Sequence, residues 1–217
     1  MNNFANPKSL IKTKEGNPFA GGSTETNSTS QNLKKHQLQN TWILYFLDNN
    51  PRKSWEDVLT KIGTLSTVED FWGLYYRIEK PSKLKLGSDY MFFKENIRPM
   101  WEDPINLQGG RWLITIGSAF KDDLDIIWLD VLLCLIGEAC DHCDQICGAA
   151  VRIRRKVNKI SIWTNDAKDE EAILEIGYKL HEVVRLVSHA TVQYHAHKVD
   201  NTQSLYTLKV FNGPFIS

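Results

Sequence analysis

Apolar residues recur at helical spacing in two long segments of the chain. One segment follows Asp122 and Asp123, and the other covers residues 173–187. Spacings of three and four residues place the apolar side chains on one side of a helix, so both segments are predicted to be helices packed on a core. The apolar positions are Leu124, Ile127, Trp128, Val131, Leu132, Leu135 and Ile136 in the first segment, and Ile173, Ile176, Leu180, Val183 and Val187 in the second.

A third, shorter helix is predicted to begin at Thr67, because Asp70 three residues later completes the pattern of a capped N-terminus. Runs rich in aromatic and β-branched residues predict strands at residues 41–47, 90–94, 111–116, 191–195 and 205–210. Residues 151–156 and 159–164 are predicted to form a hairpin around Val157 and Asn158. The strand pairs are hairpin-like and the helices are few, which favours an α+β fold with helices on one face of an antiparallel sheet.

The first 32 residues lack this periodicity. They are rich in Asn, Ser, Thr, Gly and Lys, and residues 21–30 are all polar or glycine. Such a segment cannot bury enough apolar surface to offset the entropy lost on ordering. We therefore expect a disordered tail at residues 1–32 and one folded domain at residues 33–217.

Composition restricts the class of protein. Of the 217 residues, 42% are hydrophobic and 24% are charged, which is typical of a globular domain. Because the chain has no apolar run of about eighteen residues and no secretory signal pattern, we expect no transmembrane helix and no secretion. The four cysteines fall between Cys134 and Cys147, so we expect reduced thiols in a cytoplasmic or nuclear protein.

The charges are balanced overall but segregated along the chain. The 26 basic and 26 acidic residues cancel, which by itself argues against a nucleic-acid partner. However, seven acids lie between Lys121 and Gln145, whereas five bases and no acid lie between Gly148 and Trp163. Strand alternation predicts two shared faces in the basic hairpin, one carrying Arg152, Arg154 and Lys156 and the other carrying Lys159, Ser161 and Trp163.

Cations and an indole on one surface suit a nucleotide, because cations bind phosphates and the indole contacts the base. The alternative is a solvated edge hairpin whose charges prevent aggregation. Trp55 and Trp101 also lie in predicted loops, each followed by an acid, Glu56 or Glu102. Two such indoles can sandwich a flat ring while a carboxylate accepts hydrogen bonds from its edge; the alternative is that each indole anchors its own loop.

Five motifs in order resemble one family. They are residues 36–42 (HQLQNTW), 67–72 (TVEDFW), 97–103 (IRPMWED), 109–115 (GGRWLIT) and 132–138 (LLCLIGE). Over about residues 35–217 the chain resembles the translation initiation factor 4E family, which binds the 5′ cap of mRNA. The resemblance implies a curved antiparallel sheet shaped like a cupped hand, with three long helices on the convex face and the cap site in the hollow.

The resemblance also implies a role for each candidate cap-binding residue. Trp55 and Trp101 would stack on the 7-methylguanine ring, and Glu102 would accept hydrogen bonds from its N1 and N2 groups. The remaining roles follow the same resemblance: Arg154 and Lys159 as the main triphosphate ligands, Arg111 and Lys156 as supporting cations, and Trp163 as the indole that touches the N7 methyl group.

The family also binds helical peptides on its convex face. The peptides belong to initiation scaffolds of the factor 4G type and to repressor proteins, and they carry a Tyr, four spacers, a Leu and another apolar residue. The matching positions here are His36, Val68, Trp72, Leu129, Leu132, Leu133 and Ile136. For Leu132, Leu133 and Ile136 the alternative is core packing, since they lie on or near the apolar stripe.

The function expected from the resemblance is cap binding that recruits the scaffold and promotes translation initiation. The alternative is a cap-binding repressor or a tissue-restricted paralogue that binds the scaffold weakly. Zinc at Cys140, His142 and Cys143, and magnesium-dependent hydrolysis at Asp122, Asp123 and Asp125, are both disfavoured. We therefore expect a monomeric binding protein, not an enzyme, with no cofactor, metal or membrane partner, in the cytoplasm and also in the nucleus.

Overall fold

The computed structural model describes residues 34–48, 54–184, 191–197 and 206–209. The predicted tail at residues 1–32, Val187, and residues 205 and 210 lie outside these ranges. The described strands are β1 (Gln37–Leu47), β2 (Leu59–Thr67), β3 (Asp89–Lys94), β4 (Gly110–Gly117), β5 (Ile146–Arg152), β6 (Val157–Thr164), β7 (Thr191–Ala196) and β8 (Tyr206–Lys209).

These strands form one open, curved sheet in the order β2-β1-β3-β5-β6-β4-β7-β8, and all neighbours are antiparallel. The register shifts between β1 and β2 and between β5 and β6. Such irregularities bend a sheet and increase its twist.

Within the described residues, four α-helices accompany the sheet: α1 (Trp55–Val58), α2 (Val68–Tyr75), α3 (Lys121–Ile136) and α4 (Glu170–Val184). Side chains from α2, α3 and α4 share one apolar core with one face of the sheet, which we call the helix-covered face. The expected architecture is therefore confirmed, although α2 has only 8 residues. None of the described helices is long and apolar enough to cross a bilayer.

Strand alternation separates this core from a smaller apolar cluster on the other face of the sheet. We call that second face the open face, because none of these three helices contributes to its cluster. The cluster comprises Met91, Phe93, Ile97, Cys147, Ala150 and Trp163. The helix-covered core contains three fully buried indoles, Trp42, Trp112 and Trp128, as predicted.

Helix α4 approaches the sheet at Gly177. A Cβ atom there would lie 2.2 Å from the Trp112 ring, so only glycine permits this approach. The Trp112 Nε1 group donates a hydrogen bond to the backbone oxygen of Ile173 at 2.9 Å. The Trp112 indole therefore links α4 to β4, the strand that carries Arg111 on its open face.

The predicted cap of α2 is confirmed. Thr67 has extended backbone angles, and its Oγ1 atom accepts the N–H of Asp70 at 3.1 Å. The hydrogen bond satisfies one of the donors left unpaired at a helix start. Thr67 also ends β2, so one residue joins the edge strand to the helix.

The predicted extent of the basic hairpin is wrong. Strand β5 ends at Arg152 and β6 begins at Val157, with Arg152 opposite Lys159. Residues 153–156 form the turn, where the Asn158 Oδ1 atom accepts the N–H of Arg154 at 3.1 Å. Arg154 and Lys156 therefore do not share a strand face with Arg152, because the side-chain hydrogen bond takes the backbone out of the strand ladder.

Candidate functional site

The open face carries a row of charged residues near one end of its central strands. Asp89 lies opposite Arg152, and Arg152 lies opposite Lys159. Two residues further along the strands, the small residues Ala150 and Ser161 face each other. Trp163 and Arg111 lie opposite each other beyond them. Two of the four predicted phosphate ligands, Lys159 and Arg111, therefore lie beside a surface formed by Ala150, Ser161 and Trp163, which we call the floor.

Trp163 forms part of that floor. Its side chain is only 3% exposed, and its Nε1 atom donates to the Ser161 Oγ atom at 3.2 Å. Because these side chains touch, their predicted shared face is confirmed. The Trp163 ring also lies 4.5 Å from the His197 ring, centroid to centroid. Its contact with a methyl group stays a prediction.

Asp89 is the buried carboxylate within this basic group. It accepts two hydrogen bonds from the Arg154 guanidinium, at 2.6 and 3.1 Å, and its Oδ2 atom lies 3.7 Å from the Arg152 Nε atom. Burial raises the pKa of the Asp89 carboxyl, and the two arginines partly offset this rise. The bidentate geometry requires the ionised carboxylate and orients Arg154.

The other cations differ in exposure. Lys156 and Lys159 are exposed, whereas Arg111 is half-buried. Burial lowers the pKa of Arg111, and the nearby charge of Arg152 lowers it further. The site therefore brings like charges together.

Two histidines, His195 on β7 and His197 directly after it, lie beside these cations. Burial, followed by the charges of Arg111 and Arg152, lowers the pKa of His197 to about 4. Burial and the charges of Arg111 and Lys159 lower the pKa of His195. Sequence reasoning missed both histidines and Asp89 as parts of the site. The pairing of strands that are distant in sequence places Asp89 and His195 on the face of Lys159 and Trp163, and no local pattern reveals that pairing.

Trp101 and Glu102 project from the loop between β3 and β4. The Trp101 side chain is 52% exposed, Glu102 is exposed, and no described residue hydrogen-bonds the Glu102 carboxylate. An indole this exposed contributes little to anchoring its loop, and its stacking on a flat ring stays a prediction.

Two buried polar side chains form hydrogen bonds with the backbone of the same loop. The Asp103 carboxylate accepts the N–H groups of Arg98 and Ile105 at 3.2 and 3.0 Å. The Asn106 side chain is fully buried and donates to the backbone oxygens of Arg98 and Met100 at 2.9 and 2.8 Å. These bonds fix the backbone that presents Trp101, and sequence reasoning did not identify them.

Trp55 is the first residue of α1, the four-residue helix that directly precedes the edge strand β2. A hydrogen bond between the Ser54 hydroxyl and Asp57 at 2.8 Å closes this short turn. The side chains of Trp55 and Glu56 lie outside the described part of the chain. The sandwich of Trp55 and Trp101 therefore stays a prediction.

The predicted peptide surface lies on the outer side of α2 and α3. Its half-buried members are Val68, Trp72, Leu129, Leu133 and Ile136. Leu132 is only 2% exposed, so the alternative of core packing fits this residue. The exposed His36 ring approaches Glu69 at 2.7 Å, and the His36 backbone oxygen accepts the N–H of Val68 at 2.9 Å. The segment before β1 is thus attached to the start of α2.

An aromatic group extends this surface beyond the predicted residues. Tyr76 is 72% exposed and stacks on Trp72, with ring centroids 5.4 Å apart. Tyr75 meets both rings edge-on. Sequence reasoning missed the two tyrosines, although their positions three and four residues after Trp72, at the end of α2, were a usable signal.

Residues of the two disfavoured metal sites have structural roles or are buried. Asp125 accepts hydrogen bonds from the Ser82 backbone and hydroxyl groups at 2.9 and 2.6 Å, which fixes α3 to the preceding turn. All four cysteines are buried free thiols. Within the described ranges, no group of three or more His, Cys, Asp or Glu side chains could hold a metal ion.

Comparisons with known proteins agree with this geometry. The family model described as eukaryotic initiation factor 4E matches residues 37–209. Initiation factor 4E1 of Drosophila melanogaster is 48% identical, covering 96% of this chain and 97% of that protein. Initiation factor 4E of Homo sapiens is 44% identical, covering 86% of this chain and 88% of that protein.

Solved structures resemble the fold closely. One is C. elegans eIF4E-3 in complex with the 4E-binding protein Mextli and a cap analog, with 41% identity and a TM-score of 0.75 over 81% of this chain and 100% of that chain. Another is Ascaris suum eIF4E-3 with the m2,2,7G cap, with 39% identity and a TM-score of 0.77 over 81% of this chain and 99% of that chain. The chain belongs to the eukaryotic initiation factor 4E family.

Proposed function

We propose that the chain binds the 7-methylguanosine 5′ cap of mRNA on its open face and recruits an initiation scaffold on its helix-covered face. The observation that carries the proposal is the braced loop from which Trp101 and Glu102 project, exposed, in a protein whose open face carries a basic row with Arg152 and Lys159. Binding needs no covalent step, so the protein acts as a binding factor in translation initiation. Its place of action is the cytoplasm, where initiation occurs.

The chemistry of the methylated base matches the loop. Methylation at N7 makes guanine cationic, and a cationic ring gains about 0.5–2 kcal/mol from contact with an indole. Trp101 supplies one indole, and Trp55 is proposed as the second. The Glu102 carboxylate would accept hydrogen bonds from N1 and N2, each contributing on the order of 1.5–3 kcal/mol because the acceptor is charged. An unmethylated base keeps the hydrogen bonds but loses the ring charge.

The triphosphate suits the basic floor. Arg154 is already oriented by Asp89, and Lys159 lies across the strands from Arg152. Arg111 and Lys156 are proposed as supporting cations. Because phosphate contacts displace counterions, the affinity is expected to fall as salt rises.

The outer side of α2 and α3 suits an apolar helix. Trp72, Leu129, Leu133 and Ile136 are half-buried and pack on the core, so each leaves part of its surface for a partner. Helix-in-groove binding buries such a surface against apolar side chains at helical spacing. Scaffolds of the factor 4G type and repressor proteins with the Tyr-x4-Leu-apolar motif would compete for it.

Retention on immobilised 7-methyl-GTP tests the cap-binding proposal. The bound protein should elute with free 7-methyl-GTP at a concentration where GTP leaves it on the resin. Equal elution by both nucleotides would refute methyl-specific binding. A titration with a scaffold peptide then separates two roles, since cap binding without peptide binding would indicate the repressor or paralogue.

A further inference from the structure

We propose that Arg152 is an additional phosphate-binding residue, and that it makes the open face selective for a nucleotide with several phosphates. This inference rests on the proposed cap-binding function and refines it. It concerns a residue that the family resemblance did not assign to the site.

The strand register places Arg152 inside the phosphate site. It lies between Asp89 on β3 and Lys159 on β6, in one row across the sheet. Arg154 reaches the same carboxylate from the turn that follows β5. A phosphate that contacts Arg154 and Lys159 would therefore lie within reach of the Arg152 guanidinium.

The Nε donor of Arg152 makes no hydrogen bond to the neighbouring carboxylate of Asp89. Asp89 is engaged by two hydrogen bonds from Arg154, and the 3.7 Å separation from the Arg152 Nε atom is too long for a hydrogen bond. The Nε atom is buried and has no hydrogen-bond partner among the described residues. A buried donor without a partner costs free energy until an acceptor arrives.

Electrostatics favours an anion at the same place. The charge of Arg152 lowers the pKa of both Arg111 and His197, so its positive field reaches across the floor. The row between Arg152 and the pair of Arg111 and Trp163 contains the small residues Ala150 and Ser161, with Leu113 opposite Ser161 on β4. An anionic oxygen between the two guanidiniums would relieve their repulsion and accept a charge-assisted hydrogen bond.

A structural role is the competing explanation, in which Arg152 only neutralises Asp89. The bidentate pair with Arg154 already supplies that neutralisation. A structural role would also affect all ligands alike, whereas a phosphate-binding role affects only ligands that carry phosphates.

The test compares Arg152→Gln with wild type and with Arg155→Gln. Arg155 is exposed in the same turn, so its variant removes the same charge from the surface and serves as the matched control. Tryptophan fluorescence quenching gives the dissociation constants for 7-methyl-GTP and 7-methylguanosine at several salt concentrations. Thermal unfolding checks that each variant folds.

Arg152→Gln should bind 7-methyl-GTP about 10-fold more weakly, bind 7-methylguanosine as wild type does, and show a shallower salt dependence. Arg155→Gln should change the 7-methyl-GTP affinity less than threefold, and Arg152→Lys should recover part of the loss. Equal losses for both ligands, or equal losses in both glutamine variants, would overturn the inference while leaving cap binding intact. Failure of wild type to bind 7-methyl-GTP would overturn the proposed function and this inference together.

Discussion

The protonation of His197 should make the folded protein less stable below neutral pH. The imidazole contacts Trp163 under the open face, and its Nε2 atom is buried without a hydrogen-bond partner among the described residues. Burial and the charges of Arg111 and Arg152 lower its pKa from 6.5 to about 4. Protonation therefore places an unpaired positive charge beside two guanidiniums.

The sign and size of the effect follow from proton linkage. Between pH 6.5 and pH 4 the unfolded chain binds a proton at His197 that the folded protein does not, so stability falls as the pH falls. Lowering the pH from 7.5 to 5 should reduce the free energy of unfolding by about 2 kcal/mol through this residue alone, because one pKa unit corresponds to about 1.4 kcal/mol. The loss should be complete only below the folded pKa.

Urea unfolding at pH 7.5 and pH 5 measures this contribution. His197→Phe keeps a ring against Trp163, and His197→Gln keeps a polar group, but neither side chain titrates in this range. Between pH 7.5 and pH 5, the free energy of unfolding should fall by about 2 kcal/mol less in both variants than in wild type. This difference does not depend on how stable each variant is at pH 7.5. A pH dependence as steep as that of wild type in both variants would refute the reasoning.

Three further predictions concern the loop, the peptide surface and the cap of α2. Glu102→Ala should abolish retention on 7-methyl-GTP without lowering the melting temperature, because its carboxylate is exposed; retention as strong as wild type would contradict its role. Trp72→Ala should remove binding of a Tyr-x4-Leu-apolar peptide in a fluorescence titration and leave the 7-methyl-GTP affinity unchanged; loss of both activities would mean that Trp72 is chiefly structural. Thr67→Ala should lower the free energy of unfolding, measured in urea, by about 1 kcal/mol, because it removes the hydroxyl that accepts the Asp70 N–H. Thr67→Ser keeps this hydroxyl and serves as the control.

Local patterns were enough to predict much of the fold. The apolar stripe of α3, the Thr67 cap and the strand at residues 111–116 each depend on neighbours within a few positions, and each was confirmed. The edge strand β2 was missed because its burial is irregular and its sequence contains Gly63. The register shifts that pair it with β1 depend on a distant strand, which no local pattern reveals.

The site was harder to predict because its key contacts join distant residues. Arg154 and Asp89 are 65 positions apart, yet they form the bidentate pair that orients the candidate phosphate ligand. The basic hairpin was recognised from charge alone, but its turn begins after Arg152 because the Asn158 side chain binds the Arg154 backbone. The chemistry of the site was thus visible in the sequence, whereas its geometry was not.

Asp89 explains how the open face can be basic and still folded before a ligand binds. Arg152 and Arg154 lie against the buried carboxylate of Asp89, and Lys159 and Arg111 follow on β6 and β4 of the same face. Without that carboxylate, Arg152 and Arg154 would repel each other in a partly buried setting, where like charges are weakly screened. With it, Arg154 is held in place, while the Arg152 Nε donor has no hydrogen-bond partner among the described residues. The remaining positive charge is local, which suits a single charged nucleotide even though the net charge of the whole chain is zero.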